Sequence, residues 1–469
     1  MNQLLFERST GAVSAQAFAR LQTSRFVQAI QPAPRLRFDG GEKEVLPEAD
    51  GNGDGGDDDG PSAPASRPKI WAHQAGANAL AIDVDNRLLL SGGVDSSIKL
   101  WNLEECPNVA EHTFKPAAAL SRKASAHRFG ITHLSFYPFD SKAFLSSSYD
   151  HHLKLFATET QTVSADFDLN SIIYTHALSP IASHLLVACA TQHQTLRLVD
   201  LRSGSSTHSL AGHQGALLST AWSPRLEHVL ASGGIDGTVR LWDVRKSSGA
   251  LGILDMEDST GIVGTDGMGR SARSRNVGKS HSAAVNGLTW TGDGCYIISA
   301  GHDNRVRVWD AATGSNTLAS FGPTLKNSHL SNLPLIVCPT SSVTPKNEVL
   351  FYPNEKELLM FELHQGRLLK RLKVPGPNIA AVRSRNGERN VKNRITGVLW
   401  RGQADGVYSS HSDGQIRAWL PKTAEEMAIE REEDDTKKRP VDDTEEEQRK
   451  RQVLDNVYRD LTRQKISFG

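Results

Sequence analysis

The chain has 469 residues, and its 53 basic and 53 acidic side chains give a formal net charge of zero. This balance argues against binding nucleic acid through bulk electrostatics, which needs a strong basic field. No apolar run approaches the roughly 18 residues of a membrane span. The four cysteines are scattered without a C-x-x-C pair, which favours reduced thiols in an intracellular protein.

Residues 1–38 precede any repeated pattern. Residues 1–24 predict a short helix that begins at Ser14, and their apolar side chains have no evident core to join: Leu4, Leu5, Phe6, Phe18 and Leu21. Within residues 25–38, the run Arg25–Gln31 predicts a strand that pairs with the last of the repeats described next and so closes their ring. Residues 39–68 are acidic and rich in Gly and Pro, so we expect a disordered linker there.

A spacing of a His, a Ser, an Asp and an aromatic residue recurs between residues 69 and 420. Ser to Asp is always four residues, and Asp to the aromatic is always six. The sets are His73, Ser91, Asp95 and Trp101; His127, Ser146, Asp150 and Phe156; His213, Ser232, Asp236 and Trp242; His281, Ser299, Asp303 and Trp309; and, without a His, Ser409, Asp413 and Trp419. This spacing is typical of the WD repeat, whose unit is one four-stranded propeller blade.

The intervals between these sets predict seven blades. Asp150 to Asp236 and Asp303 to Asp413 each leave room for two units, and degenerate units fill them around Leu198–Leu201 and Glu357–Leu363. Residues 255–280 form an insertion between blades four and five. We therefore predict an all-β fold, a seven-bladed WD-repeat β-propeller over residues 69–420 with a short N-terminal helical segment and a charged, partly helical C-terminal tail.

The recurring polar residues predict a structural network inside each blade. Each Asp lies in a tight turn, where a carboxylate accepts backbone N–H groups, while the His, Ser and Trp supply further hydrogen-bonding groups. Such a buried network stabilises a blade only when its members satisfy one another. A catalytic or metal-binding role is the weaker interpretation, because the same set recurs in every regular blade.

The tail, residues 421–469, carries two basic clusters, Lys437–Arg439 and Arg449–Arg451, at a spacing that predicts a bipartite nuclear-import signal. Apolar residues then follow a helical stripe: Val453, Leu454, Val457, Tyr458 and Leu461. This pattern predicts a helix that docks on a surface, because so short a helix is marginal alone. A solvated charged helix with a chance basic pair remains the alternative.

The chain contains no P-loop, no H-E-x-x-H, no G-x-S-x-G and no Cys/His zinc cluster, so we expect a non-catalytic interaction platform without cofactor or metal. Across residues 1–38 and 69–420 it resembles the Cockayne syndrome group A family, in a fungal type. The stretches that carry the resemblance are His127–Pro138, Tyr174–Pro180, Ala221–Arg225, Leu241–Gly249, Asp303–Trp309 and Gly314–Leu318.

The resemblance implies a nuclear, non-catalytic substrate receptor of a cullin-four RING E3 ubiquitin ligase, acting in transcription-coupled nucleotide excision repair. Its implied adaptor is the large subunit of the UV-damaged-DNA-binding factor, which links it to the cullin and the RING subunit. Further implied partners are a Cockayne syndrome group B-type ATPase and stalled RNA polymerase II. Sequence-specific nucleic-acid binding and membrane binding are not expected.

The family docks on its adaptor through an N-terminal helical segment and a Trp-Asp-x-Arg motif. Here the motif is Trp242–Arg245, with a looser copy at Val199–Arg202. The resemblance therefore assigns adaptor binding to Arg245, Arg202 and the N-terminal apolar residues Leu4, Leu5, Phe6, Phe18 and Leu21. Two alternatives stay open. Each Arg taken alone fits an ordinary surface charge, and the whole chain fits a general WD-repeat scaffold for RNA processing or trafficking without a ubiquitin link.

Overall fold

A computed structural model describes residues 2–41, 70–105, 111–121, 126–246, 250–256, 278–338, 348–384, 387–402 and 406–421. Most of the expected linker at 39–68 and most of the insertion at 255–280 lie outside these residues. The tail beyond Pro421 also lies outside them, together with its predicted import signal and docking helix.

Two helices open the chain, α1 (Asn2–Ser9) and α2 (Ala15–Ala29). The helix predicted from Ser14 is confirmed: Ser14 is extended, and its side chain accepts the Ala17 N–H at 3.2 Å as an N-cap. The prediction of a strand over Arg25–Gln31 is wrong, because α2 continues to Ala29. No Gly or Pro interrupts the chain between Ser14 and Gln31, and good helix formers precede Arg25.

The first blade is preceded by two short strands. β1 (Gln31–Pro32) pairs with the last strand of the chain, and β2 (Leu36–Phe38) runs parallel to β6 on the rim of blade one. The strands of this region are β3 (Ala77–Ile82), β4 (Leu88–Gly93), β5 (Ile98–Asn102), β6 (His112–Phe114) and β7 (Pro116–Leu120). Blade one is the sheet β3-β4-β5-β7.

Blades two to four follow as four-stranded antiparallel sheets. Blade two consists of β8 (Ile131–Tyr137), β9 (Asp140–Ser148), β10 (His152–Ala157) and β11 (Val163–Asp168). Blade three consists of β12 (Ile173–Leu178), β13 (Leu186–Thr191), β14 (Thr195–Asp200) and β15 (Ser205–Ala211). Blade four consists of β16 (Leu217–Trp222), β17 (Val229–Gly234), β18 (Val239–Asp243) and β19 (Gly252–Leu254).

Blades five to seven complete the ring. Blade five has β20 (Val285–Trp290), β21 (Tyr296–Gly301) and β22 (Arg305–Asp310). Blade six has β23 (Ile336–Val337), β24 (Val349–Pro353), β25 (Glu357–Glu362) and β26 (Leu368–Lys373), and a separate hairpin follows, β27 (Ile379–Ser384) and β28 (Gly387–Lys392). Blade seven has β29 (Ile395–Gly402), β30 (Gly406–His411) and β31 (Ile416–Leu420). The prediction of a seven-bladed propeller is confirmed.

Ring closure depends on β1, which is the fourth strand of blade seven. Gln31 lies opposite Leu420, and Pro32 lies opposite Trp419. A sheet edge left open would expose unpaired N–H and C=O groups, so this pairing removes an edge. The closing strand therefore exists, but it is only two residues long and begins after the helix.

The core lies between neighbouring blades. The aromatic residues that end the recurring spacing are fully buried: Trp101, Phe156, Trp242, Trp309 and Trp419. Each such side chain removes about 150–250 Å² from water, which makes these aromatics the largest single contributions to the core.

The strand order gives the ring two distinct faces. One face is formed by the turns between the first and second strands and between the third and fourth strands of the blades. We call it the lower face. The upper face is formed by the turns between second and third strands and by the connections between blades. All the recurring Asp residues lie in upper-face turns, such as Asp150 between β9 and β10.

Candidate interaction surface

The recurring polar residues form hydrogen-bonded chains inside the blades. In blade four, the Trp242 indole N–H donates to the Ser232 hydroxyl at 2.7 Å, Ser232 Oγ lies 2.7 Å from His213 Nε2, and His213 Nδ1 lies 3.1 Å from an Asp236 carboxylate oxygen. Blade five repeats the arrangement with Trp309, Ser299, His281 and Asp303. This series of hydrogen bonds links the second and third strands of a blade to the two upper-face segments that carry the His and the Asp. Its role is therefore structural.

Blade two shows why the Asp is ionised. Asp150 lies 2.9 Å from His127 Nδ1 and accepts the backbone N–H groups of Arg128 and His152. Burial alone would raise the pKa of Asp150, but these hydrogen bonds outweigh burial and hold the pKa at about 2. Ser146 completes the chain at 2.6 Å from His127 Nε2, while Phe156 stacks on Phe144 in place of the Trp.

Blade one has a looser version of the same chain. His73 Nδ1 is 3.5 Å from Asp95, and Ser97 bridges the gap, 2.8 Å from His73 Nδ1 and 2.7 Å from Asp95. Ser91 lies 2.7 Å from His73 Nε2 and accepts the Trp101 indole N–H at 2.9 Å.

Blade seven replaces its missing His with residues that the sequence reasoning did not identify. His411 Nε2 lies 2.8 Å from Ser409, which accepts the Trp419 indole N–H at 2.7 Å. Asp413 is held instead by the Asn393 amide at 3.0 Å and by the Arg417 guanidinium at 2.5 Å.

A signal for these partners was present in the sequence. A basic residue lies four positions after every recurring Asp: Lys99, Lys154, Arg240, Arg307 and Arg417. Lys99 and Lys154 donate to the carbonyls of Ala72 and Ala126, each directly before a blade-opening His, at 2.8 and 3.0 Å. Arg307 donates to Asp303 at 2.9 Å. The blade unit is therefore larger than the four residue types first recognised.

The N-terminal helices attach to the propeller through the end of α2. Val27 and Ile30 are 1% and 0% exposed in a core cluster that includes Trp419. The Lys370 ammonium on β26 donates to the carbonyls of Gln28 and Ile30 at 3.1 and 2.7 Å. Because β1 follows at once and runs toward the upper face, α2 ends at the lower face of blade seven.

The apolar residues of the N-terminal segment, which we expected to lack a core, differ in their burial. The expectation is wrong for Phe18, which is 8% exposed, with the Arg8 guanidinium 5.1 Å from its ring centre. This burial arises because α1 folds back beside α2, which the sequence pattern did not reveal. Leu21 is half-buried, whereas Phe6 is 66% exposed. Leu4 and Leu5 lie in α1, and their side chains are outside the described part.

Arg202 and Arg245 occupy equivalent places in blades three and four. Each follows the third strand of its blade by two residues, in a lower-face turn, and each is exposed. Arg245 donates two parallel hydrogen bonds to Asp243, at 3.0 Å from Nε and 2.8 Å from Nη2. These bonds lower the pKa of Asp243 to about 2 and leave three of the five guanidinium N–H groups pointing to solvent or a partner.

The lower face also carries an apolar row that the sequence reasoning missed. The turn between first and second strands bears one exposed large apolar side chain in each of four consecutive blades: Val84, Phe139, Ile181 and Leu226, at 60, 55, 44 and 54% exposure. Apolar residues in a turn were the available signal. Large apolar side chains exposed on one face of a protein are a feature of protein–protein interfaces.

These features share one face of the ring. The row begins in blade one, beside the blade that receives α2, and ends in blade four, beside Arg202 and Arg245. We call the set of Val84, Phe139, Ile181, Leu226, Arg202 and Arg245 the lower-face surface. It combines apolar anchors with guanidinium groups, a composition that protein interfaces favour.

Comparisons with known proteins agree with the blade pattern. The family model of the WD domain, G-beta repeat, matches residues 67–102, 119–156, 204–243 and 273–310, which hold the complete sets of blades one, two, four and five. The chain is similar to WD repeat-containing protein ATCSA-1 of Arabidopsis thaliana, with 26% identity over 487 residues, covering 90% of this chain and 95% of that protein.

Ribosome biogenesis protein ytm1 is also similar over a shorter span. The identity is 29% over 275 residues in Aspergillus clavatus and 27% over 272 residues in Neurospora crassa. The alignments cover 51% and 52% of this chain and 53% and 51% of those proteins, about half in each case. Among the described residues, no helix is long and apolar enough to cross a bilayer. The chain is thus a seven-bladed β-propeller in which four blades match the WD repeat.

Proposed function

We propose that this protein is a non-catalytic substrate-recognition subunit of a cullin-four RING E3 ubiquitin ligase that acts in transcription-coupled nucleotide excision repair in the nucleus. The observation that carries the proposal is the convergence of α2, the apolar row and the two arginines on the lower face. The similarity to ATCSA-1 also supports the proposal. It extends over 90% of the chain, which is more than the four matched WD repeats cover.

The proposed docking has three contributions. The α1–α2 segment enters an adaptor groove with exposed groups such as Phe6, while Val27 and Ile30 keep it attached to the propeller. The apolar row supplies the buried centre of the interface, where each anchored side chain contributes about 1.5–3 kcal/mol. Arg245, oriented by Asp243, and Arg202 supply directional hydrogen bonds at its edge.

In this proposal the adaptor is the large subunit of the UV-damaged-DNA-binding factor. The upper face stays free for repair partners, including a Cockayne syndrome group B-type ATPase and stalled RNA polymerase II. Since the protein would supply binding rather than chemistry, ubiquitin transfer would take place on the RING side of the assembly.

Affinity purification of the full chain from cells with and without UV treatment tests the proposal. We expect adaptor, cullin and RING subunit to co-purify with the wild-type protein and with Arg305→Ala, which removes an exposed arginine of the upper face. Arg202→Ala combined with Arg245→Ala should reduce all three. Their absence from the wild-type preparation would contradict the ligase assignment.

A second candidate is a WD-repeat scaffold in nuclear RNA processing without a ubiquitin link. The similarity to ribosome biogenesis protein ytm1 favours it. That similarity covers only about half of each chain. Co-purification of pre-ribosomal particles in place of the ligase subunits would support the scaffold.

A further inference from the structure

A cavity of about 590 Å³ lies inside the ring. This volume is within the range of pockets that bind small ligands or peptide side chains. Residues near its upper end are mainly polar, and those toward the lower face are mainly apolar. The upper set includes Thr132, His133, Tyr149, Tyr174, Ser331 and Arg394; the lower set includes Phe136, Leu178, Trp222 and Leu399.

Arg394 is the cation of this cavity. It lies between hairpin strand β28 and the first strand of blade seven, and it is half-buried. Its Nη1 donates to the Ser331 hydroxyl at 3.1 Å, and across the described residues no carboxylate lies within 4 Å of its guanidinium. A guanidinium stays charged and has five N–H donors, so this one retains donors for an anion.

The carboxylate that interacts with Arg394 at longer range is hydrogen-bonded to other groups. Glu355, in the upper-face turn between β24 and β25, accepts the Lys392 ammonium at 2.6 Å on one oxygen and the Ser328 hydroxyl at 2.5 Å on the other. These two hydrogen bonds hold the pKa of Glu355 at about 2. Glu355 therefore pairs directly with Lys392 and acts on Arg394 as a charge at longer range.

A second buried group in the same cavity also lacks a partner. His133, on β8 of blade two, has no hydrogen-bond partner for Nδ1, and that atom is buried. Its ring lies edge-on to His176, with the ring centres 4.7 Å apart. Buried polar atoms without partners are rare in folded proteins and point to a ligand or to water.

The sequence that leads to Arg394 is basic. From Ile379 to Arg394 the sequence holds five cationic residues, Arg383, Arg385, Arg389, Lys392 and Arg394, against one acidic residue, Glu388. Arg389 is exposed, as is Ile379 at 62%.

We propose that the upper end of the central cavity binds an acidic peptide segment of a partner protein, with one carboxylate of that segment paired to the Arg394 guanidinium. Arg and carboxylate groups match in a bidentate geometry that a recessed guanidinium can select. A duplex nucleic acid fits less well, because it needs a broad basic surface and cannot enter the cavity. The proposal concerns the upper face and does not depend on adaptor docking.

Selection of a random-peptide phage library against the full chain tests the proposal. We expect the recovered peptides to be enriched in Asp or Glu. A labelled synthetic copy should then bind less tightly to Arg394→Ala than to wild type by roughly tenfold or more, with an intermediate loss for Arg394→Lys. Arg305→Ala, which removes an equal charge elsewhere on the upper face, should bind within about twofold of wild type.

Three results would overturn the proposal. One is recovery of no peptides, or of peptides without acidic enrichment. Another is an equal loss of affinity in Arg394→Ala and Arg305→Ala, which would indicate a diffuse charge effect. The third is Arg394-dependent binding of a labelled DNA duplex in preference to the peptide. Adaptor co-purification with Arg394→Ala should equal that of the wild type, so failure here is distinguishable from failure of the ligase assignment.

Discussion

The Asp243 carboxylate holds the Arg245 guanidinium through two parallel hydrogen bonds, Nε to Oδ1 at 3.0 Å and Nη2 to Oδ2 at 2.8 Å. Asp243 is buried, whereas the Arg245 side chain is 65% exposed. The buried carboxylate therefore fixes the orientation of the exposed guanidinium. In a Trp-Asp-x-Arg motif this relation gives the Asp a definite task, the orientation of the Arg.

Asp243→Asn should weaken adaptor binding even though the side chain at this position is buried behind Arg245. The Asn amide has one acceptor oxygen and no charge, so it cannot accept both hydrogen bonds from Arg245. The guanidinium then samples more rotamers and has to be ordered on binding, which costs affinity. We expect adaptor affinity to fall by roughly threefold to tenfold, measured by surface plasmon resonance. Asp200→Asn is the matched control in blade three, where the Asp200 carboxylate accepts the Arg202 backbone N–H and, among the described residues, no guanidinium N–H. Equal affinity of Asp243→Asn and wild type would contradict the orienting role.

The attachment of α2 to the propeller can be tested separately from its proposed docking role. Ile30→Ala removes a side chain that is 0% exposed in the core cluster of blades six and seven, so it should lower the free energy of unfolding by about 2–4 kcal/mol. Gln28→Ala, a change at an exposed position of α2, should alter the free energy of unfolding by less than about 0.5 kcal/mol. Urea unfolding measures both. A neutral Ile30→Ala would show that α2 is not held by the propeller core.

Deletion of residues 1–22 tests docking, because it removes α1 and the first half of α2 but keeps Val27 and Ile30. The propeller should keep its cooperative unfolding, while adaptor binding should be lost. If the truncated protein binds the adaptor as well as the full chain, the N-terminal segment is not the anchor. If it fails to fold, the buried Phe18 belongs to an essential core.

The blade networks should matter for folding rather than for binding. Asp236→Ala removes the carboxylate that accepts hydrogen bonds from the His213 ring and from the backbone N–H groups of Gln214 and Thr238. These buried donors would then lack an acceptor. We expect a loss of about 3 kcal/mol in the free energy of unfolding. Asp85→Ala, in an exposed turn, is the control and should be near neutral. A stable Asp236→Ala protein with lost partner binding would reverse the assigned role.

Buried histidines should make the protein sensitive to mild acid. Burial lowers the pKa of His133 from 6.5 to about 4, and it lowers the pKa of His176 and His281 as well. At a pH between about 4 and 6.5, the unfolded chain therefore binds a proton at His133 that the folded protein does not bind. The free energy of unfolding should therefore fall as the pH drops from 6.5 toward 4.

Denaturant unfolding across this pH range measures the effect. His133→Gln removes one contributing group and should make the decline shallower, whereas His208→Gln, at an exposed position, should leave it unchanged. An identical pH dependence in wild type and His133→Gln would contradict the role of burial at His133.

The sequence predicted the ring well because each blade is specified locally. The spacing of His127, Ser146 and Asp150 follows from the length of two strands and a turn, so it fixes blade geometry without long-range information. The degenerate blades three and six were recoverable for the same reason, since the intervals between regular blades left room for them.

The features that depend on tertiary contact were less accessible. The run at Arg25–Gln31 has the composition of a strand, but Val27 and Ile30 are buried from a helix end, and no local pattern reports that packing. Asn393 holds Asp413 from a connection between blades, at a place where the repeat shows no His. The lower-face row became visible only when the ring placed four separate turns side by side.

The binding of purified adaptor to purified full chain tests the central claim most directly. We compare wild type, the lower-face variant Phe139→Asp with Leu226→Asp, and the upper-face variant Phe129→Asp, whose phenylalanine is 58% exposed against 55% for Phe139. We predict that wild type and Phe129→Asp bind with affinities within about twofold and that the lower-face variant binds roughly tenfold or more weakly, with unchanged thermal stability. Absence of binding by the wild type, or an equal loss in both variants, would contradict it.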